Sequence, residues 1–281
     1  MWILYVLLGL LFLASLWLLS LFAKRDRDGL GGLTGYHYAH RGLHNSKEGL
    51  PENSLAAFRK AVSMGYGAEL DVHLSKDGRL VVIHDESLLR TAGVDRNVCD
   101  CTAEELRNYF LEGTAEPIPY LEQVLSLFEG KTPLVIELKP FRGNHAALSE
   151  AVCNMLDRYP QLQFCIESFD PRVLLWLKKN RPEIIRGQLS SNFIKERSGL
   201  SLPLAFLLTN VMCNFLTVPH FVAYRFSDRK NISLRLCRLI WGVREFSWTV
   251  TSPRRAKTLL EDGSSIIFEG FCPGKDLPHA R

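Results

Sequence analysis

From Trp2 to Ala23 the chain carries no charged side chain, and Leu, Phe and Trp dominate it. About 20 consecutive apolar residues is the length of a helix that crosses the hydrocarbon of a bilayer. The stretch has neither the basic start nor the small-residue cleavage site of a secretory signal, so residues 1–23 read as an uncleaved transmembrane anchor. Lys24, Arg25 and Arg27 follow directly. By the positive-inside rule they place the C-terminal flank, and with it the rest of the chain, in the cytoplasm. The seven cysteines agree: none has finger or redox spacing, Cys99 and Cys101 stand only two apart, and free thiols suit a reducing compartment.

Residues 24–35, ending in "GLGGLTG", read as a flexible linker, and 36–281 as the folded unit. In that unit, apolar β-rich runs alternate with helical patterns. The expected strands are 36–39, 67–72, 80–84, 133–138, 163–167, 185–189, 221–224, 246–250 and 265–268. Helix starts are marked by Asn53 or Ser54, by Thr102 with Glu105 three residues on, and by Asp170-Pro171. About eight such units predict a (β/α)8 barrel, with a doubly wound sheet as the alternative. "ELDVHLSKDGRLVVIHD" reads as a hairpin turning at Asp77-Gly78, which brings His84 opposite Glu69. The apolar stretch Leu200–Val218, broken by Pro203, Asn210 and Asn214, reads as a long barrel helix, a lip on the membrane, or a second span. The net charge of +4 is scattered, which excludes the concentrated basic stripe of a nucleic-acid binder.

Four strand ends carry polar groups that an apolar strand does not need: His40-Arg41, Glu69-x-Asp71, His84-Asp85 and Glu137-x-Lys139. Residues two apart on a strand point the same way, and a barrel gathers its strand ends at one face. Converging carboxylates repel unless a cation sits between them, and oxygen ligands favour Mg²⁺ or Ca²⁺. A zinc site built from His40, His84 and one carboxylate is the alternative. Arg41 and Lys139 add positive charge suited to a phosphate, and the two histidines could move protons. Together these describe a site for cleaving a phosphate ester.

The motifs "HRG", "PENS", "ELDV", "SKDG" and "HD", then "IELK", "ESF" and "WTV", are similar to the glycerophosphodiester phosphodiesterase family, within the phospholipase C-like barrels. The resemblance covers essentially everything after the linker. It implies a barrel with a divalent cation, Ca²⁺ or Mg²⁺, held by Glu69, Asp71 and Glu137. His40 and His84 would be the acid–base pair, Arg41 and Lys139 would hold the phosphate, and Asn53 and Trp248 would support them. It implies that a substrate hydroxyl attacks phosphorus, expels the alcohol, and leaves a cyclic phosphate that water opens to glycerol 3-phosphate. The last strand ends in Phe268-Glu269-Gly270 where the family more often has Thr-Asp-x-Pro, so Glu269 receives no role. The expected function is thus a membrane-anchored, metal-dependent phosphodiesterase acting on glycerophosphodiesters, lysophospholipids included. A phosphatidylinositol phospholipase C-like enzyme and a non-catalytic tethered binding module are the alternatives.

Overall fold

The computed structural model describes residues 1–25 and 30–274; Asp26, Arg27, Asp28 and Gly29, and the tail 275–281, lie outside the described residues. Among the described residues nine strands form: β1 (Tyr38–Ala39), β2 (Gly67–Leu74), β3 (Leu80–Val82), β4 (Leu134–Leu138), β5 (Phe164–Ser168), β6 (Arg186–Ser190), β7 (Phe221–Arg225), β8 (Arg244–Val250) and β9 (Ser265–Phe268). All but β3 pair in parallel. β1 closes the ring by pairing with both β2 (Tyr38 opposite Gly67) and β9 (Tyr38 opposite Ile267). The result is the expected (β/α)8 barrel, with β3 added antiparallel to β2.

Alternation along the strands decides what fills the barrel. Tyr38, Val135, Cys165, Leu189, Phe221 and Phe246 form one buried cluster. Two residues beyond Tyr38, Val135, Cys165 and Phe246, this layer gives way to His40, Glu137, Glu167 and Trp248. The aromatic layer is made possible by small partners: a Cβ on Gly187 would lie 2.2 Å from the Phe221 ring. The opposite faces of the strands meet the helices in a larger core that includes Phe58, Leu70, Phe128, Ile136 and Ile166.

The helix starts obey the local signals. Ser54 accepts from the Ala57 amide to cap helix Leu55–Ser63. Thr102 and Glu105 form a reciprocal capping box at helix Ala103–Arg107, and Asp170 accepts from the Arg172 amide ahead of helix Pro171–Asn180.

Three expectations need correction. The glycine-rich stretch is not a loose tether, because Leu30–Gly35 folds into a turn whose Leu30 and Leu33 are buried against the barrel interior cluster. The Tyr38 hydroxyl donates to the Leu33 carbonyl at 2.6 Å. Two leucines among glycines had somewhere apolar to go, and burial outweighed chain freedom. The hairpin register is one residue off: Val72 faces Val82, and the Ile83 amide reaches the Asp71 carbonyl, so His84 lies across from Leu70. Finally, Leu200–Val218 is neither one long helix nor a span. It breaks into helix Leu202–Thr209 and a turn Asn214–Thr217, with Val211 and Val218 in left-handed backbone between and after them.

The N-terminal helix, Trp2–Ser20, is long and apolar enough by length and composition to cross a membrane. Its last turn is fastened to the barrel. Trp17 Nε1 donates to Ser233 Oγ at 3.2 Å, Trp241 Nε1 to the Leu18 carbonyl at 3.1 Å, and the Lys24 amide to the Pro219 carbonyl at 2.8 Å. Residues 1–16 are exposed.

Candidate active site

The "HRG" motif has a backbone reason as well as a chemical one. Immediately after β1 the chain turns sharply. Arg41 sits at φ 53° and Gly42 at φ 81°, where a Cβ would stand 3.0 Å from that of Ala57. Only glycine fits such a left-handed and crowded place. Asn53, at φ 56°, completes the opposing bend. The two strained non-glycine residues buttress each other: the Asn53 amide donates to the Arg41 carbonyl at 2.9 Å. Asn53 is not the helix cap. Its side-chain Nδ2 donates to Asp71 Oδ2 at 2.8 Å, and Ser54 does the capping.

Strand register assembles the acids. Asp71 on β2 stands opposite Glu137 on β4, and Glu137 opposite Glu167 on β5, so three carboxylates share one layer of the barrel. Glu69 lies two residues before Asp71 on the same face. Ligand oxygens of Glu69, Asp71 and Glu137 lie within 4.8 Å of one another, and all three side chains are buried. Lys139 Nζ is 3.0 Å from Glu137 Oε1 and 3.2 Å from Asp71 Oδ1. Arg41 brings Nε to 3.5 Å from Asp71 Oδ2 and Nη1 to 3.0 Å from Glu52 Oε1, and its amide donates to Glu69 Oε2 at 3.0 Å.

The electrostatics follow from this crowding. Burial and the neighbouring Asp71 and Glu137 push the Glu69 carboxyl well up. Burial raises Glu137 to about 7 despite Lys139, and burial with Glu69 and Glu137 raises Glu167. Burial also acts to raise Asp71, but Lys139, His84 and Arg41 outweigh it and hold that carboxyl well down. Four buried carboxylates therefore face two half-buried cations, Arg41 and Lys139. Asp71 Oδ1 has the lysine nearby but no well-formed hydrogen bond, and Glu167 Oε2 has none. An all-oxygen donor set whose carboxyls are raised by burial and mutual repulsion fits a divalent cation, which would relieve that repulsion.

Both histidines sit at this mouth, each bound through Nδ1 to a carboxylate. His40 Nδ1 lies 2.6 Å from Glu269 Oε2, while its Nε2 is 4.0 Å from Glu69. His84 Nδ1 pairs with Asp85, which Arg90 also holds, and Arg90 continues to Glu52 and so to Arg41. Burial lowers both imidazoles below their ordinary value. Among the described residues, the potential ligand atoms gathered around His40 come from His44 and Glu269 and not from His84, which is not the arrangement a His40–His84 zinc site needs. A cavity of about 370 Å³ opens over the group, lined by His40, Arg41, Glu69, His84, Glu137 and Lys139 and walled by Phe169, Phe193 and Trp248. Phe169 packs edge-on against both Phe193 and Trp248, at 5.8 and 5.6 Å between centroids.

The structure thus brings together every site residue singled out from the sequence, with Asp85 beside His84, and adds Glu167, Glu269, Glu52 and Arg90. Glu167 carried a usable signal, since it follows Cys165 by two on an apolar strand. Glu269 carried none: it meets His40 only because β9 closes onto β1.

Residues 40–268 match the model of the glycerophosphoryl diester phosphodiesterase family. The chain belongs to that family. It is accordingly a phosphoric diester hydrolase. A glycerophosphodiester phosphodiesterase of Caldanaerobacter subterraneus is 33% identical over 235 residues, spanning 80% of this chain and 89% of that protein. The human lysophospholipase D is 37% identical over 136 residues, 44% of this chain and 41% of that protein. Among solved structures, an Oleispira antarctica phosphodiesterase in complex with the product sn-glycerol-3-phosphate superposes with a TM-score of 0.66 at 26% identity, covering 83% of this chain and 92% of that one. The family match begins at His40, the first residue of the mouth.

Proposed function

We propose that this chain is a membrane-anchored, divalent-cation-dependent glycerophosphodiester phosphodiesterase whose substrates include lysophospholipids. Residues 1–23 serve as the anchor and 36–281 as the catalytic barrel, on the cytoplasmic side. The observation that carries the reading is the buried triad Glu69, Asp71 and Glu137, set between two histidines that each rest on a carboxylate.

In this reading Glu69, Asp71 and Glu137 hold the cation, Ca²⁺ or Mg²⁺. Bound there, it supplies Lewis-acid stabilisation of charge on the phosphoryl oxygens. Arg41 and Lys139 bind the phosphate, and Asn53 keeps Asp71 oriented. His40 is the base. Its Nδ1 rests on Glu269, which His40 and His44 hold well down, so the carboxylate is ionised and stabilises the imidazolium formed when Nε2 takes the glycerol hydroxyl proton. The freed oxygen attacks phosphorus. His84 is the acid: Asp85 spends part of its charge on Arg90, which leaves the imidazolium a readier donor to the departing alkoxide. The roles then reverse as water opens the cyclic phosphate. The aromatic wall of Phe169, Phe193 and Trp248 favours a substrate with an apolar part.

The full-length protein, purified in detergent, should release glycerol 3-phosphate from glycerophosphocholine, and lysophosphatidic acid from lysophosphatidylcholine. Both releases should require a divalent cation and disappear in His40→Ala and Glu69→Ala. Full activity in either folded variant would remove these roles, and release of phosphocholine would indicate phospholipase C chemistry instead. Protease digestion of the barrel from outside intact cells would overturn the cytoplasmic orientation.

A further inference from the structure

The apolar surface of this barrel is distributed unevenly. Beyond Phe22, fifteen large apolar side chains are exposed among the described residues, and eleven of them lie between Ile194 and Ile240. Helix Leu202–Thr209 is apolar on all sides: Ala205 and Leu208 face inward, yet Leu202 (73% exposed) and Phe206 (50%) face out. A helix apolar all round needs an apolar environment on its outer side too. Leu239, on the neighbouring segment, is 80% exposed.

The same region carries an excess of basic side chains, of which Lys195, Arg225, Arg229 and Arg238 are ion-paired. Residues 194–244 contain eight Lys or Arg and two Asp or Glu, against 34 and 30 in the whole chain, so the remainder is slightly acidic. A cavity of about 620 Å³ opens there, lined by Ile232 and Leu239 together with Arg235, Arg238 and Arg244, and by Glu245 and Asp262, which pair with Arg238. Apolar side chains combined with basic ones are the signature of an anionic membrane surface.

The N-terminal helix supplies the geometric reason. Its last turn is bound to this region, with Trp17 and Leu21 packed among Val211, Met212 and Trp241. The sixteen exposed residues before Trp17 extend about 24 Å at the α-helical rise, short of the ~30 Å hydrocarbon core. To span, the helix must draw its docked turn, and the barrel surface around it, down to the bilayer.

We propose that the face built by residues 194–240 is a membrane-docking surface that seats the barrel on an anionic bilayer beside the anchor. The inference rests on the anchoring reading above and goes beyond it, because an anchor alone leaves the barrel free of the surface. The wall of the catalytic cavity at Glu196, Ser198 and Arg225 belongs to this same segment, so the mouth opens next to the lipid.

The full chain in lipid nanodiscs, carrying a photocrosslinking side chain at one position, tests this. Phe206, Ile232 and Leu239 should give lipid adducts several-fold above Met64 and Leu175, which are exposed apolar residues elsewhere. The yield should rise further when phosphatidylglycerol replaces part of a phosphatidylcholine bilayer. Labelling at Leu10 in the anchor, but only background at 206, 232 and 239, would overturn the docking surface while leaving the anchor intact. No labelling at Leu10 would overturn both. Equal yields in the two lipid mixtures would overturn the anionic preference.

Discussion

Replacing Glu269 with Gln tests whether the His40–Glu269 pair works in the reaction or merely decorates the mouth. The amide keeps the shape and can still accept from Nδ1, so only the charge is lost. An imidazolium and a carboxylate with charge centres about 4 Å apart attract by about 4 kcal/mol at an effective dielectric of about 20. The Glu269 side chain keeps 36% of its surface in water, so screening reduces this to about 2 kcal/mol. That attraction exists only once His40 has taken the proton, so it lowers the barrier and not the substrate's binding energy. The expected outcome is a fall in kcat of roughly 30-fold with KM little changed, and an unaltered melting temperature. Stopped-flow release of the choline product, with thermal denaturation alongside, reads all three. An unchanged kcat, or a loss carried by KM alone, would refute the assignment of His40 as the base.

Stability without the cation should fall as pH rises from about 4.5 through 7, because Glu137, raised to about 7 by burial, binds its proton more tightly folded than unfolded. The loss amounts to a few kcal/mol, and urea unfolding with and without divalent cation should show it disappear once cation is added. Glu137→Gln should weaken divalent-cation binding about 100-fold or more, measured by calorimetry on the folded variant. The acid limb of kcat/KM should fall below pH 6.5, since burial lowers the base His40 and keeps it neutral to lower pH; a limb above 6.5 would contradict the site's dryness. Gly187→Ala should cost about 1–3 kcal/mol of folding stability from overpacking against Phe221, read as a shifted denaturation midpoint.

What could be read from the sequence followed local physics. Strand order, helix caps and the inward-facing pairs Glu69/Asp71 and Glu137/Lys139 depend on spacings of a few residues, and these were legible. What escaped depended on closure or on competition. Glu269 reaches His40 across 229 positions, and no local pattern encodes that contact. The leucines at 30 and 33 looked like linker because glycine signals freedom, yet the open end of a barrel is an apolar site waiting to be covered. His84 was expected one residue away from its true register because a turn can be recognised in sequence more easily than its exact pairing.

The fastened last turn of the N-terminal helix has a kinetic consequence. A barrel on a slack string would tumble, and its mouth would meet dissolved substrate from every direction. Here the helix moves with the barrel through the Trp17–Ser233 and Lys24–Pro219 bonds, so an anchored molecule gives up rotation about the axes lying in the plane of the sheet of lipid. Encounter then becomes a two-dimensional search. Turnover should follow the mole fraction of substrate within the lipid layer, falling by surface dilution when inert lipid is added at constant bulk concentration.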